Sequence, residues 1–392
     1  MLSGMMKGKA ALLARITSRV PGFKSVPLGQ EISGSSPPSV FVGRFGYPKV
    51  SVGPLLPPIG GDTRLYDSPE EWIPLGMTTE EVFAKRVQLV RGKKEVSVHE
   101  PGKIADMAVE IALAARSPEV EASFAGVPRG SFLHEEVQPF GPSAQIRELK
   151  VYGTKWDNRL EKAYNDTDLL AKDAMIGLFN RGQPLSDIMR ALSVGALGIG
   201  RNRKLVPTRW SITAVDSNLS AHLLGDVKEF GMLEEYRVYE FESFNNRYLI
   251  MLYPSMWQYE WIEAFFPNSP GDFLSIFGDW ETFEGKKEYS RVGGCYYSAK
   301  LAVLERLHAE KKQAGVLILR EAYSNYIPLG VWNCRENIRN AMQTKPVLFE
   351  TFNSALEHMF SRLRLPKATW RANSKTMRER NRQTSLASYA RL

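Results

Sequence analysis

The side chains with chemical potential fall into four groups. The last eleven residues, "RQTSLASYARL" from Arg382 to Leu392, place Gln383, Leu386 and Tyr389 at i, i+3 and i+6. If 385–389 forms one tight helical turn, Leu386 and Tyr389 project from one side, because residues three apart eclipse in a 3₁₀ turn. So short a segment gains nothing by folding alone, but it can bury two apolar groups in a partner's groove while Gln383 supplies an amide. The second group is "GALGIGRNRK", 195–204, a Gly-rich turn carrying Arg201, Arg203 and Lys204, with Arg209 shortly after. Glycine lets a backbone approach closely and its amides converge, so such a turn suits phosphate or a DNA backbone. It is not a Walker loop, since no Gly-Lys-Ser/Thr follows at the required spacing.

The third group is Glu148-Leu149-Lys150 on an expected strand. An acid that holds Mg²⁺ beside a lysine that assists the attacking water is the chemistry of metal-dependent nucleases. That site also needs an upstream Asp, and residues 119–147 offer only Glu119, Glu121, Glu135 and Glu136. The fourth is a polar set, Arg44, Arg209, Asp216, Arg320, Glu321 and Arg335, beside Trp210, Tyr323 and Trp332. Charged residues in apolar, Gly/Pro-rich surroundings either pair with one another or bind a ligand, and ion pairing is the favoured reading. His99, His134, His222, His308 and His358 show no zinc-hydrolase spacing, and no Gly-x-Ser-x-Gly occurs, so neither a zinc hydrolase nor a serine triad is expected. Cys295 and Cys334 are too few for a disulfide framework or a cysteine-rich metal site, and they point to a reducing interior.

The elements that must position these groups are mixed. Helices are expected at 79–91, opened by "TTEE", and at 103–116, 157–164, 166–180 and 185–194. A strand is expected at 144–152, and another directly after the basic turn, within 205–216, with a helix across 217–230. "YRVYEFESF" and "RYLIMLYP" read as a hairpin turning at Asn245-Asn246, residues that accept positive φ. Their aromatics could stack on bases, but a packed core is the expected use. Farther on come a helix from about 295 to 312, a strand at 315–321, and helices near 333–343 and 348–363, the last ended by Pro366. Residues 33–61, dense in Gly and Pro yet rich in Val, Phe and Tyr, should be ordered loop with one or two short strands. The fold class is therefore α+β, with mixed sheets, a loop-rich N-terminal segment and a disordered basic tail.

Charge divides unevenly along the 392 residues, whose net is +8. Residues 361–392 carry +8 and residues 1–30 carry +5, leaving 37 basic against 42 acidic side chains, or −5, between them. A nearly neutral body does not advertise a general phosphate-binding surface, so the basicity belongs to the ends. No stretch has the apolar length to cross a bilayer, and residues 1–20 lack a secretory core, so neither membrane insertion nor export is expected. The organisation expected is a basic segment at 1–30, an α+β domain at 31–268, an α/β domain at 269–365, and a disordered tail at 366–392. Within that tail, 371–382 has one large apolar side chain, Met377, in twelve.

Two resemblances follow from these residues. Gln383-x-x-Leu386-x-x-Tyr389 resembles the PCNA-interacting peptide, by which replication and repair proteins dock on the sliding clamp; the usual second aromatic is replaced by Ala390. "SSPPSVFVGRFGYPKVSVGPLLPP", "RNRKLVPTRWSITAVD", "GGCYYSAKLAVLE" and "LREAYSNYIPLGVWNCREN" resemble successive signatures of the archaeal Nre DNA-repair family. That resemblance implies a cytoplasmic archaeal protein acting in DNA-damage repair, with PCNA and DNA as partners. Some members begin with a cysteine-rich zinc segment; here "KGKAALLARITSRV" has no cysteine, so that metal site is expected to be absent. Two readings stand beside it, a DNA-processing nuclease and a nucleotide-binding protein. No cofactor is expected, and Mg²⁺ would enter only with the nuclease reading.

Overall fold

Alternating apolar residues make strands with one face to cover, continuous apolar runs make strands buried on both, and this chain uses both kinds in two sheets. The computed structural model describes residues 28–130, 132–134, 137–267, 273–324 and 326–380. By compactness these divide into 28–219 with 328–330, and 220–327 with 331–380.

In the first unit β1 (Glu31–Ser35), β2 (Val40–Val42), β3 (Lys49–Leu56), β4 (Val90–Ser97), β5 (Glu119–Phe124) and β8 (Ser143–Tyr152) form one sheet. Its order is β1-β5-β8-β4-β3-β2, antiparallel except for β4 against β8. A two-stranded ribbon, β6 (Phe132–His134) and β7 (Val137–Phe140), stands apart. The helices are α1 (Pro69–Trp72), α2 (Thr79–Gln88), α3 (Lys103–Ala112), α4 (Asn158–Asn165), α5 (Ala171–Asn180) and α6 (Leu185–Ser193). Thr78 caps α2 in a capping box with Glu81, as "TTEE" leads one to expect.

The next element departs from expectation. The strand read within 205–216 is the start of one helix, α7 (Thr208–Val227), which also absorbs the helix read at 217–230. Ser211, Val215, Leu219 and Leu223 are all buried and four apart, a helical stripe that overrides the β-branched residues of "SITAV". The division between the two units falls inside this helix, at Leu219/Ser220.

The second sheet runs β12-β11-β13-β10-β9-β14, with β9 (Tyr236–Ser243), β10 (Asn246–Tyr253), β11 (Gln258–Phe265), β12 (Ser275–Glu281), β13 (Gly315–Ala322) and β14 (Val347–Phe349). Only β11 and β13 are parallel. The expected boundary at 268/269 lies between β11 and β12, neighbours in this sheet, and the compact units divide elsewhere. The β9–β10 turn uses Phe244 and Asn245 at φ of 49° and 56°, while Asn246 already pairs with Ser243, so the hairpin turns one residue earlier than read. The aromatics of this hairpin are core: Tyr239, Tyr248 and Tyr253 are buried.

Helices cover both faces of this sheet. On one side lie α8 (Gly294–Glu310) and α9 (Trp332–Gln343): Tyr259 Oη donates to the carbonyl of Tyr296, and Phe244 packs edge-on against Trp332. On the other lie α10 (Phe352–Arg362), α11 (Lys367–Asn373) and helical residues 375–380. There Leu249, Met251, Leu317 and Leu319 share a core with Met359, Trp370 and Met377. Thus the tail expected to be disordered from 366 is folded to 380. Pro366 opens α11 as its N-cap and does not end α10, which stops at Arg362.

The basic side chains themselves cover apolar surface. Arg380 lies over the rings of Tyr253 and Phe352 at 4.9 and 5.4 Å, and Lys375 lies over Trp280. Glu260 accepts from Ser374 Oγ at 2.7 Å and from the amides of Lys375 and Thr376 at 2.6 and 3.0 Å, capping the final helix. Trp370→Ala should cost about 3–5 kcal/mol in urea unfolding. Glu260→Gln should expose Lys367, Arg371 and Lys375 to trypsin faster than the rest of the chain; equal cleavage in both proteins would refute the anchor.

Candidate functional site

Gln383, Leu386 and Tyr389 lie outside the described residues, which end at 380. The other sequence candidates can be placed. In the Gly-rich turn, Gly195 has φ +75° and a Cβ there would meet the Lys204 carbonyl oxygen at 2.8 Å, so the turn closes tightly on itself. Arg203 is its brace: Nε donates to the Gly198 carbonyl at 2.7 Å, Nη1 to that of Tyr164 at 2.7 Å, and Nη2 to that of Asp166 at 3.0 Å. Its guanidinium also lies 5.1 Å from the Tyr164 ring centre. Arg203 is therefore a structural clamp and not a phosphate arm, whereas Arg201 and Lys204 are exposed and Arg209 is half-buried at the start of α7.

That helix start meets the loop between β2 and β3. The Val42 amide donates to Thr208 Oγ1 at 2.9 Å, and the Tyr47 and Trp210 rings lie 5.1 Å apart. Arg44 sits 5.1 Å over the Phe45 ring. Phe45, Tyr47 and Trp210 are 83, 39 and 45% exposed, so three aromatics and an arginine share one corner. An exposed ring beside a guanidinium is a surface on which a base can stack while the cation meets a phosphate. The sequence grouped Arg44 with Trp210 in its polar set but took Phe45 and Tyr47 as ordered loop and placed Trp210 on a strand. The signal was there in Arg44-Phe45-Gly46-Tyr47, aromatics at a turn between two apolar strands.

The polar set is drawn from both units. Arg44 and the buried Asp216 belong to the first unit; Arg320, Glu321 and Arg335 belong to the second. Consecutive strand residues point to opposite faces, and β13 shows the consequence. Arg320 turns toward α8 and α9, donating from Nη1 to Glu263 Oε2 at 2.7 Å and from Nε and Nη2 to Asn246 Oδ1 at 2.9 and 2.7 Å. The rings of Tyr248, Phe265 and Tyr326 lie between 5.1 and 5.6 Å from it. Glu321 faces the other way and accepts from the amides of Arg364 and Leu365 at 2.8 to 3.0 Å. Arg335 donates to Glu336 at 3.1 Å, and Arg339 joins that carboxylate to Glu305. In the second unit these charges form ion pairs and braces inside the fold.

Glu148 and Lys150 pair with each other at 3.4 Å on an exposed strand, opposite Ser123 and Glu121. Among the described residues no group of three or more His, Cys, Asp or Glu could hold a metal. Nor is any described helix long and apolar enough to cross a membrane.

Two mixed sheets with helices define an α+β protein, with an ion-paired interior and an aromatic corner that carries Arg44. The chain belongs to the archaeal Nre family: the profile for "Archaeal Nre, N-terminal" matches residues 6–270, and that for "Archaeal Nre, C-terminal" matches 281–389. The gap between the two profiles falls close to the boundary read from the sequence, although the compact units divide at Leu219. The chain is 37% identical over 387 residues to DNA repair protein NreB of Archaeoglobus fulgidus, covering 97% of each chain. It is 35% identical to DNA repair protein NreA of the same organism, over 93% of this chain and 92% of that one. Against DNA repair protein NreA of Haloferax volcanii the identity is 34%, over 90 and 88%. No solved structure matches the chain.

Removing Glu263 would strand a buried guanidinium. Glu263→Ala should destabilise the protein by about 3–5 kcal/mol, and Glu263→Gln, which keeps an acceptor, by less. Equal urea midpoints for all three proteins would show that the Arg320 pair carries no stability.

Proposed function

We propose that this protein is a DNA-repair factor that touches a DNA strand through its aromatic corner and is brought to the PCNA sliding clamp by its last residues. The observation that carries the reading is near-full-length identity to three archaeal proteins, each named a DNA repair protein. Two features of the chain agree with it. Phe45, Tyr47 and Trp210 with Arg44 offer base stacking and a phosphate contact, with exposed Arg201 and Lys204 in the same unit. Gln383, Leu386 and Tyr389 carry the clamp-peptide spacing three residues past the last described helix. An intracellular site of action, the cytoplasm, goes with both partners.

Deleting 383–392 should abolish co-elution with PCNA and leave the melting temperature unchanged, since the Glu260 anchor lies upstream. Leu386→Ala with Tyr389→Ala should do the same. A truncated chain that co-elutes as well as the full one would end the tethering idea.

The DNA contact is tested separately. Trp210→Ala and Phe45→Ala should each weaken binding to a single-stranded oligonucleotide by about 1–3 kcal/mol, roughly five- to 150-fold. Arg44→Ala should in addition flatten the salt dependence of that binding. Unchanged affinity in all three variants, measured at two salt concentrations, would remove the corner from the reading.

A further inference from the structure

The two cysteines are distant in sequence but meet in the fold. Cys295 is the second residue of α8 and Cys334 the third of α9, so each thiol sits in the first turn of a helix. The two helix starts are clasped. Ser298 Oγ donates to the carbonyls of Cys295 and Val331 at 3.1 and 3.2 Å. A Cβ at Gly294 would come within 2.7 Å of Val331 Cγ1, so glycine is what lets the starts lie this close. The two thiols lie close enough to perturb each other's ionisation directly. Tyr248 Oη donates to Cys334 Sγ at 3.9 Å, and the Arg320 guanidinium lies 5.6 Å over the same tyrosine ring.

Several neighbours favour a negative charge on the Cys334 sulfur. Helix N-terminal amides and a nearby cation stabilise a thiolate. Burial alone would raise the Cys334 thiol, but the Cys295 thiol beside it and the Arg320 charge carry it below its ordinary value. Cys295 moves the opposite way, raised by Cys334 and by burial, as a thiol that keeps its proton should. Glu263 opposes the thiolate from β11, and Arg320, to which it is paired, offsets it. Cys334 is buried and Cys295 half-buried, so the Cys295 side is the more exposed one of the pair.

We propose that Cys295 and Cys334 form a redox-active dithiol which hydroperoxides convert to an intramolecular disulfide. The Cys334 thiolate attacks the distal peroxide oxygen, the O–O bond breaks, and the alkoxide leaves with the proton that Cys334 had released. The resulting sulfenic acid is attacked by Cys295: the S–S bond forms, the S–O bond breaks, and the hydroxyl departs with the Cys295 proton as water. The sum is two thiols and one hydroperoxide giving one disulfide, one alcohol and one water. Neither the aromatic corner nor the last ten residues takes part, so this site stands whether or not the DNA and clamp contacts do.

The test uses the full chain, treated with stoichiometric hydrogen peroxide, quenched with a maleimide in denaturant and mapped by peptide mass. Both cysteines should lose maleimide labelling together, at equal rates, with their peptides linked inside one chain and labelling restored by dithiothreitol. In Cys295→Ser the same treatment with dimedone should trap a sulfenic acid on Cys334. Three results would overturn the proposal: Cys295 alone passing to sulfinic acid while Cys334 keeps its label, linkage only between separate chains, or no dimedone adduct in the variant.

Discussion

Arg320 and Glu263 occupy paired positions on the two parallel inner strands of the second sheet, and a buried guanidinium cannot be left without an acceptor. Much else in that unit is arranged around this need. Asn246 turns its amide oxygen to the guanidinium, which places the start of β10, and the rings of Tyr248, Phe265 and Tyr326 wall it from water. The next residue on β13 and the residue three before on β11 point to the opposite face. There Glu321 and Glu260 accept backbone amides from the segments before α11 and after it. The strand alternation thus uses one face for a cation and the other for two carboxylates that hold down the C-terminal helices.

Much of this was legible because periodicity is local. The strands at 236–253 and 315–322 and the helix at 294–310 follow from alternation and from length. Two elements escaped for the same physical reason, that a neighbour outweighs local preference. Residues 208–216 look like a strand by side-chain type, yet their buried positions recur every fourth residue once the helix continues past 217. Residues 371–380 look unfoldable by composition, but Trp370 and Met377 fill a core built elsewhere, and Lys375 and Arg380 set their cationic groups over aromatic rings.

The candidate sites divide likewise. That charges in apolar surroundings pair was foreseeable for Arg320 and Arg335, but which face each occupies depends on register. Arg203 was indistinguishable from Arg201 in sequence, and only the path of the loop shows that three carbonyls consume it. The aromatic corner brings two sequence signatures together through the Val42–Thr208 hydrogen bond, a contact between segments far apart in the chain. No local window contains it.

The Glu260 anchor sets a distance scale as well as an order. From Arg380, fastened over Tyr253 and Phe352, to Gln383 is three residues, and three residues span at most about 10 Å when fully extended. Whatever receives Gln383 would therefore hold the second sheet almost at its surface, with little freedom to swing. In the proposed clamp complex, so short a leash would keep the second sheet close beside its partner.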